Sequence, residues 1–219
     1  MIGLMCKAPL AGASKTRLAA AVGQERALEL ARAFLVDGAA LAAEVALRCG
    51  TRAAAFSVGE VALPGWEAQG WDVRAQVEGD LGARMGAAFA AGATLLLGTD
   101  APTMPVALAE LAWWTVASGG ADAAVVPALD GGYCALAMGR VLPELLDDMP
   151  WSTPGLLALT KARATAAGLR LAVLPGWHDV DEAADLERLR LTLEGAAPEG
   201  CSVLPPFMAP ATRDVFDRN

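Results

Sequence analysis

A single histidine, His178, stands among 219 residues, and the four cysteines, Cys6, Cys49, Cys134 and Cys201, never reach C-x-x-C spacing. That scarcity leaves no Cys/His cluster for a structural zinc ion, and the spacing supports no Ser-His-Asp arrangement. Scattered cysteines of this kind read as reduced, mostly buried thiols of a cytoplasmic protein. Basic residues are also few: 17 Lys and Arg stand against 25 Asp and Glu, for a net charge of −8. This balance argues against a nucleic-acid partner, which needs basic surface to meet phosphates. It leaves room for a small anionic ligand held by local charge. The longest uncharged stretch, residues 85–99, is 15 residues long and broken by glycine, so no transmembrane segment is expected. No basic region precedes the apolar opening, and no secretory signal is read there. Neither an internal repeat nor a Ser- or Gly-rich linker divides the chain, which favours one sizeable domain over residues 1–194.

What is present is apolar and periodic. Hydrophobic residues make up 55% of the chain, enough to build a core. Short apolar runs read as strands at 1–6, 53–58, 72–77, 94–98, 122–129, 133–139 and 169–175. Helical spacing is read over 22–47, 80–92, 104–120, 154–167 and 182–192. This alternation predicts an α/β domain with a mostly parallel central sheet and helices on both faces. The Pro-rich tail, 195–219, shows no periodicity and is expected to wrap the domain or fray.

Ligands of open α/β sheets bind outside the carboxyl ends of the strands. The chemically rich stretches fall there: 7–17, 99–103, 130–132 and 176–181. In the first, "KAPLAGASKTRL", Gly12 permits a tight turn, and Lys7, Lys15 and Arg17 could surround a di- or triphosphate. It is not a P-loop, because Ser14 stands where glycine must precede the lysine. A solvated basic turn ahead of a helix starting near Thr16 explains the same residues. Asp100, directly after "LLLG", suits a hard cation such as Mg²⁺ or, equally, a helix cap. Asp181 admits the same two readings. Asp179 and Asp181 flank Val180 and are expected to face opposite ways, with only one of them turned into a site. Asp130-Gly131-Gly132 is either a hairpin turn or a close backbone approach to a ligand. Asp80 and Arg84 open a helix, and Asp80 also reads as its cap. Trp151 is a stacking face or core, and His178 reads as structural.

Taken in order, "CKAPLAGASKTRL", "GDLGARM", "GTDAP", "DGGY", "WST" and "DVDEAADL" resemble a bacterial GT-A-like transferase family found near radical-SAM and selenium-related genes. The family is labelled glycosyltransferase or nucleotide-diphospho-sugar transferase, and it is similar to the guanylyltransferases for molybdenum cofactor and phospholactate. The departures are Ala11 for a proline, Thr99 for a serine, Cys6 for alanine and His178 for an aromatic residue. None removes a charged group.

The resemblance implies a single-domain nucleotide-diphospho-sugar transferase fold. It implies nucleotide-binding roles for Lys7, Gly12, Lys15, Arg17, Asp80 and Arg84. Asp100 and Asp181 would hold Mg²⁺ or Mn²⁺. Asp130, Gly131, Gly132 and Trp151 would border the acceptor or sugar, and Lys15, Arg17 and Asp130 would take part in catalysis. The expected activity is transfer from a nucleotide or nucleotide-sugar donor to a small-molecule acceptor. Two alternatives are nucleotidyl transfer to a phosphorylated acceptor and nucleotide binding without catalysis.

Overall fold

The computed structural model describes residues 1–61 and 70–218. The opening apolar run forms β1 (Ile2–Lys7), whose inner residues are buried on both faces. The next strands are β2 (Ala53–Val58) and β3 (Asp72–Ala75). They are followed by β4 (Leu95–Gly98), β5 (Ala123–Pro127), β6 (Tyr133–Met138) and β7 (Leu171–Val173). They form one seven-stranded sheet in the order β3-β2-β1-β4-β6-β5-β7. Only β6 runs antiparallel to its neighbours.

The central strands are short and apolar on both faces, as a sheet covered by helices on both sides requires, whereas the edge strand β3 carries Asp72 and Arg74. On β4 the alternation is visible: Leu95 and Leu97 enter one core, and Leu96 enters the other. The first core is closed by α2 (Gln24–Arg48) and α4 (Val106–Ala117). The second is closed by α3 (Leu81–Ala90) and α5 (Leu156–Ala166). The α/β architecture expected from the alternation is the one observed.

The boundaries differ where glycine and capping chemistry intervene. The helix expected over 22–47 is preceded by a separate helix, α1 (Thr16–Val22). Gly23, at φ 84°, breaks the two apart in a conformation that favours glycine. The last expected helix starts later, as α6 (Asp185–Leu193). Asp185 turns back to accept hydrogen bonds from the Asp181 and Glu182 amides at 2.9 and 2.8 Å. The tail carries a helix that its sequence did not announce, α7 (Pro210–Phe216). It packs with α1, α2 and α6 in a third apolar cluster containing Leu18, Phe34, Leu189 and Val215. Seven residues are too few for a helical period to stand out.

Helix α7 is tied down by a buried carboxylate. Asp37, in the middle of α2 and fully buried, accepts from the Ala211 and Thr212 amides at 3.1 and 2.6 Å. It caps from outside the helix, satisfying amides that have no intrahelical partner. Asp37→Ala is expected to cost about 1–2 kcal/mol, read by urea unfolding, and to speed proteolytic trimming of the tail while the sheet stays folded.

Candidate active site

Strand order reverses between β1 and β4: β2 and β3 follow β1 on one side, and β4 lies on the other. In doubly wound sheets such a switch point opens a crevice at the carboxyl ends of the two strands. The loop after β1 carries Lys15, and the loop after β4 carries Asp100. The crevice is completed by residues 179–182, where the Val180 amide bonds to the Asp100 carbonyl at 2.9 Å.

At its centre is the Lys15 ammonium. It contacts Asp100 Oδ1 at 2.6 Å, Asp181 Oδ1 at 2.7 Å and the Val180 carbonyl at 2.7 Å. It donates hydrogen bonds to Asp181 and to the Val180 carbonyl and forms an ion pair with Asp100. The Lys15 side chain is 8% exposed, and its Nζ lies 5.5 Å from the Phe34 ring centroid. Burial pulls its pKa down, the two carboxylates push it up more strongly, and the net direction is upward. The backbone of Lys15 is left-handed, at φ 51° and ψ 44°. That conformation costs a non-glycine residue about 1–2 kcal/mol, and here it aims the side chain inward. Arg17 extends the network to Asp181 Oδ2 and Glu182 Oε1, both at 2.8 Å, from an exposed position.

Two cavities share this cluster. One, of about 280 Å³, is lined by Lys7, Ser14, Lys15, Arg17, Asp100 and Asp181, among others. Lys7 is exposed there and has no ion pair among the described residues. The second, of about 560 Å³, also touches Arg17, Asp100 and Asp181. It adds Asp130, Gly132, Tyr133, Trp151, Asp179 and Glu182. Its floor is apolar, with Met5, Leu81, Met85 and Leu136.

A family model described as an uncharacterized protein conserved in bacteria, DUF2064, matches residues 33–153, more than half of the chain. The protein belongs to this family. No curated protein matches. A solved structure from Desulfovibrio desulfuricans G20, provisionally described as a nucleotide-diphospho-sugar transferase, is 29% identical. The likeness covers 97% of this chain and 94% of that one, with a TM-score of 0.76. Two further structures are more distant. A CMP:2-keto-3-deoxy-manno-octonic acid synthetase complexed with CTP is 14% identical over 88% of this chain and 98% of its own, at a TM-score of 0.48. A cytidylyltransferase of Leptospira borgpetersenii serovar Hardjo-bovis is 12% identical over 100% and 93%, at 0.47. The fold of this DUF2064 member is that of the nucleotide-diphospho-sugar transferases. The family match itself takes in Asp100, Asp130 and Trp151 but not the basic loop or the 179–182 segment.

The sequence-derived candidates separate into those that meet and those that do not. Lys7, Lys15, Arg17, Asp100, Asp130, Gly132, Trp151 and Asp181 line one cavity or the other. Gly12 forms an exposed turn at φ 72° outside both linings. Asp80 caps α3, accepting from the Ala83 amide at 2.9 Å. Arg84 is half-buried, and neither residue lines a cavity; α3 contributes Leu81 and Met85 instead. Gly131 serves the backbone: at φ 92°, an added Cβ would meet the Pro154 carbonyl oxygen at 2.3 Å. Gly12, Asp80, Arg84 and Gly131 thus lie outside the linings of these two cavities.

Two expectations meet at Lys15: a divalent ion between Asp100 and Asp181, and a phosphate at the lysine itself. The Asp100–Asp181 pair does not fit a divalent ion as arranged. Lys15 occupies the space between the carboxylates, and Arg17 takes the remaining Asp181 oxygen. Among the described residues, no group of three or more His, Cys, Asp or Glu is disposed to hold a metal. Lys15, expected to meet phosphate, is engaged here by Asp100, Asp181 and the Val180 carbonyl. Asp179, by contrast, lines the second cavity together with Asp181. Residues two apart share a face of an extended backbone, and Val180 is buried between them, so the expectation that only one carboxylate would enter the site is not met. The pKa of Asp179 is pushed up to about 6 by burial and by the negative charges of Asp130, Asp181 and Asp100. His178 is buried between Thr103 and Thr192, where burial lowers its pKa to about 4 and keeps it neutral.

Lys15→Met removes the shared cation and leaves two carboxylates facing each other. The variant is expected to lose about 2 kcal/mol, a buried ion-pair loss reduced because Asp100 is half-exposed. Adding Asp181→Asn should recover part of that loss in a double-mutant cycle. Folding favours protonated Asp179, so that stabilisation is complete below 3.8 and is lost as pH rises through about 6. Asp179→Asn is therefore expected to melt about 2–4 °C above the parent at pH 8, the gap closing as pH falls below that range, in thermal unfolding scans.

Proposed function

We propose that this protein transfers a glycosyl group from a nucleotide-diphospho-sugar donor to a small-molecule acceptor. The observation that carries the reading is the pair of unlike cavities meeting at Arg17, Asp100 and Asp181, at the switch point of the sheet. The description of the Desulfovibrio relative, aligned over nearly the whole chain, supports the donor class.

The smaller cavity is sized and charged for a diphosphate. Among the described residues, Lys7 has no ion pair to give up. Arg17, 62% exposed, can exchange its carboxylates for phosphate oxygens with the same forked geometry. Lys15 holds Asp100 and Asp181 in register between donor and acceptor and is a positioning residue. In the transfer, the bond from the anomeric carbon to the diphosphate oxygen breaks, and the acceptor oxygen forms the new bond. The departing negative charge collects where Lys7 and Arg17 meet it. The acceptor proton passes to a carboxylate of the larger cavity. Asp179 is suited to take it, since a base works best with a pKa near the working pH, and Asp130 is the nearby alternative.

The test is product analysis with separate nucleotide sugars and nucleoside triphosphates. Release of free nucleoside diphosphate supports the reading. Release of pyrophosphate would replace it with nucleotidyl transfer, and tight binding without turnover would replace it with a binding protein. Arg17→Ala is expected to weaken nucleoside diphosphate about ten- to a hundredfold in calorimetry and to leave the bare nucleoside unchanged.

A further inference from the structure

The two cavities differ in sign. The smaller one sets Lys7, Lys15 and Arg17 against Asp100 and Asp181. The larger one gathers Asp100, Asp130, Asp179, Asp181 and Glu182 around a single cation, Arg17. That cation is already engaged by Asp181 and Glu182. Asp130 spends one oxygen on the Gly132 amide at 2.8 Å. Neither Asp130 nor Asp179 has an ion-pair partner among the described residues. Beneath this rim the cavity is apolar, and its wall carries Tyr133 and Trp151, packed edge to face with ring centroids 6.4 Å apart. Its volume of about 560 Å³ lies in the range of small-molecule sites.

An apolar floor beside aromatic faces takes a hydrocarbon or aromatic body. A rim of carboxylates lacking counter-charge repels anions and attracts a cation, and low-dielectric walls strengthen both effects. From the juxtaposition of the Asp130/Asp179 rim with the Tyr133–Trp151 wall, we propose that the larger cavity admits an acceptor with an apolar body and a positively charged nitrogen, and rejects phosphorylated acceptors. This names the acceptor class for the transfer proposed above and rests on that reading for the word acceptor; the cavity's selectivity is independent of it.

The test is a calorimetric titration of the full chain at pH 7.5 with three aromatic probes: tyramine, its uncharged analogue 4-ethylphenol, and phenyl phosphate. Each is run with and without saturating nucleoside diphosphate. Tyramine is expected to bind about tenfold more tightly than 4-ethylphenol, and phenyl phosphate is expected to show no saturation. Asp130→Asn/Asp179→Asn is expected to erase the preference for tyramine while 4-ethylphenol still binds, which separates charge selection from loss of the fold. Saturable phenyl phosphate binding in the larger cavity, a tyramine preference that survives the double substitution, or no binding by either uncharged or cationic probe would overturn the proposal. Failure of every nucleotide to bind while the tyramine preference holds would instead count against the donor reading alone.

Discussion

The site depends on one ammonium shared by two carboxylates and a carbonyl. Asp100 follows β4 and Asp181 follows β7, so without a cation their approach would be repulsive. Lys15 arrives from a third direction, after β1, and converts that repulsion into a junction of three loops. Each acceptor lies at 2.6 or 2.7 Å, and the side chain is largely out of water. Such a junction favours folding only when every buried charge has partners, a condition met here for the lysine. The left-handed backbone at Lys15 belongs to the same arrangement: its conformational cost is offset by contacts that only this direction of the side chain allows.

The junction also divides the cleft. On one side remain Lys7 and the exposed guanidinium of Arg17; on the other are carboxylates, methionines and aromatic rings. A chain that is acidic overall can thereby present a small cationic surface and a larger acidic one within the same crevice. Local placement, rather than net charge, sets which molecule each side admits.

Much of the fold was readable in advance because short apolar strands and longer amphipathic helices differ in period, and glycines and prolines mark their ends. β2 is bounded to the residue, and polar stretches placed after the strands converge on the cleft described above. Other features were not readable from pattern. Gly23 divides a continuous helical period. Asp185, rather than Asp181, closes the turn before α6, because backbone amides 3–4 residues upstream can reach it. Asp179 escapes an argument that alternates neighbouring carboxylates, because residues two apart share a face of an extended backbone. The partners of Lys15 are the hardest to foresee: charge type alone points a lysine toward phosphate, and only tertiary contact reveals the carboxylates and carbonyl around it.

The Asp37 cap has a consequence beyond its own helix. Phe34, whose ring stands beside the Lys15 ammonium, lies one turn before Asp37 on α2 and shares an apolar cluster with Val215 of α7. Helix α7 is therefore continuous in packing with a cleft it does not line. A label or cross-link that displaces α7 would disturb the ring behind the lysine as well, so this helix is a poor attachment point in any assay of the cleft.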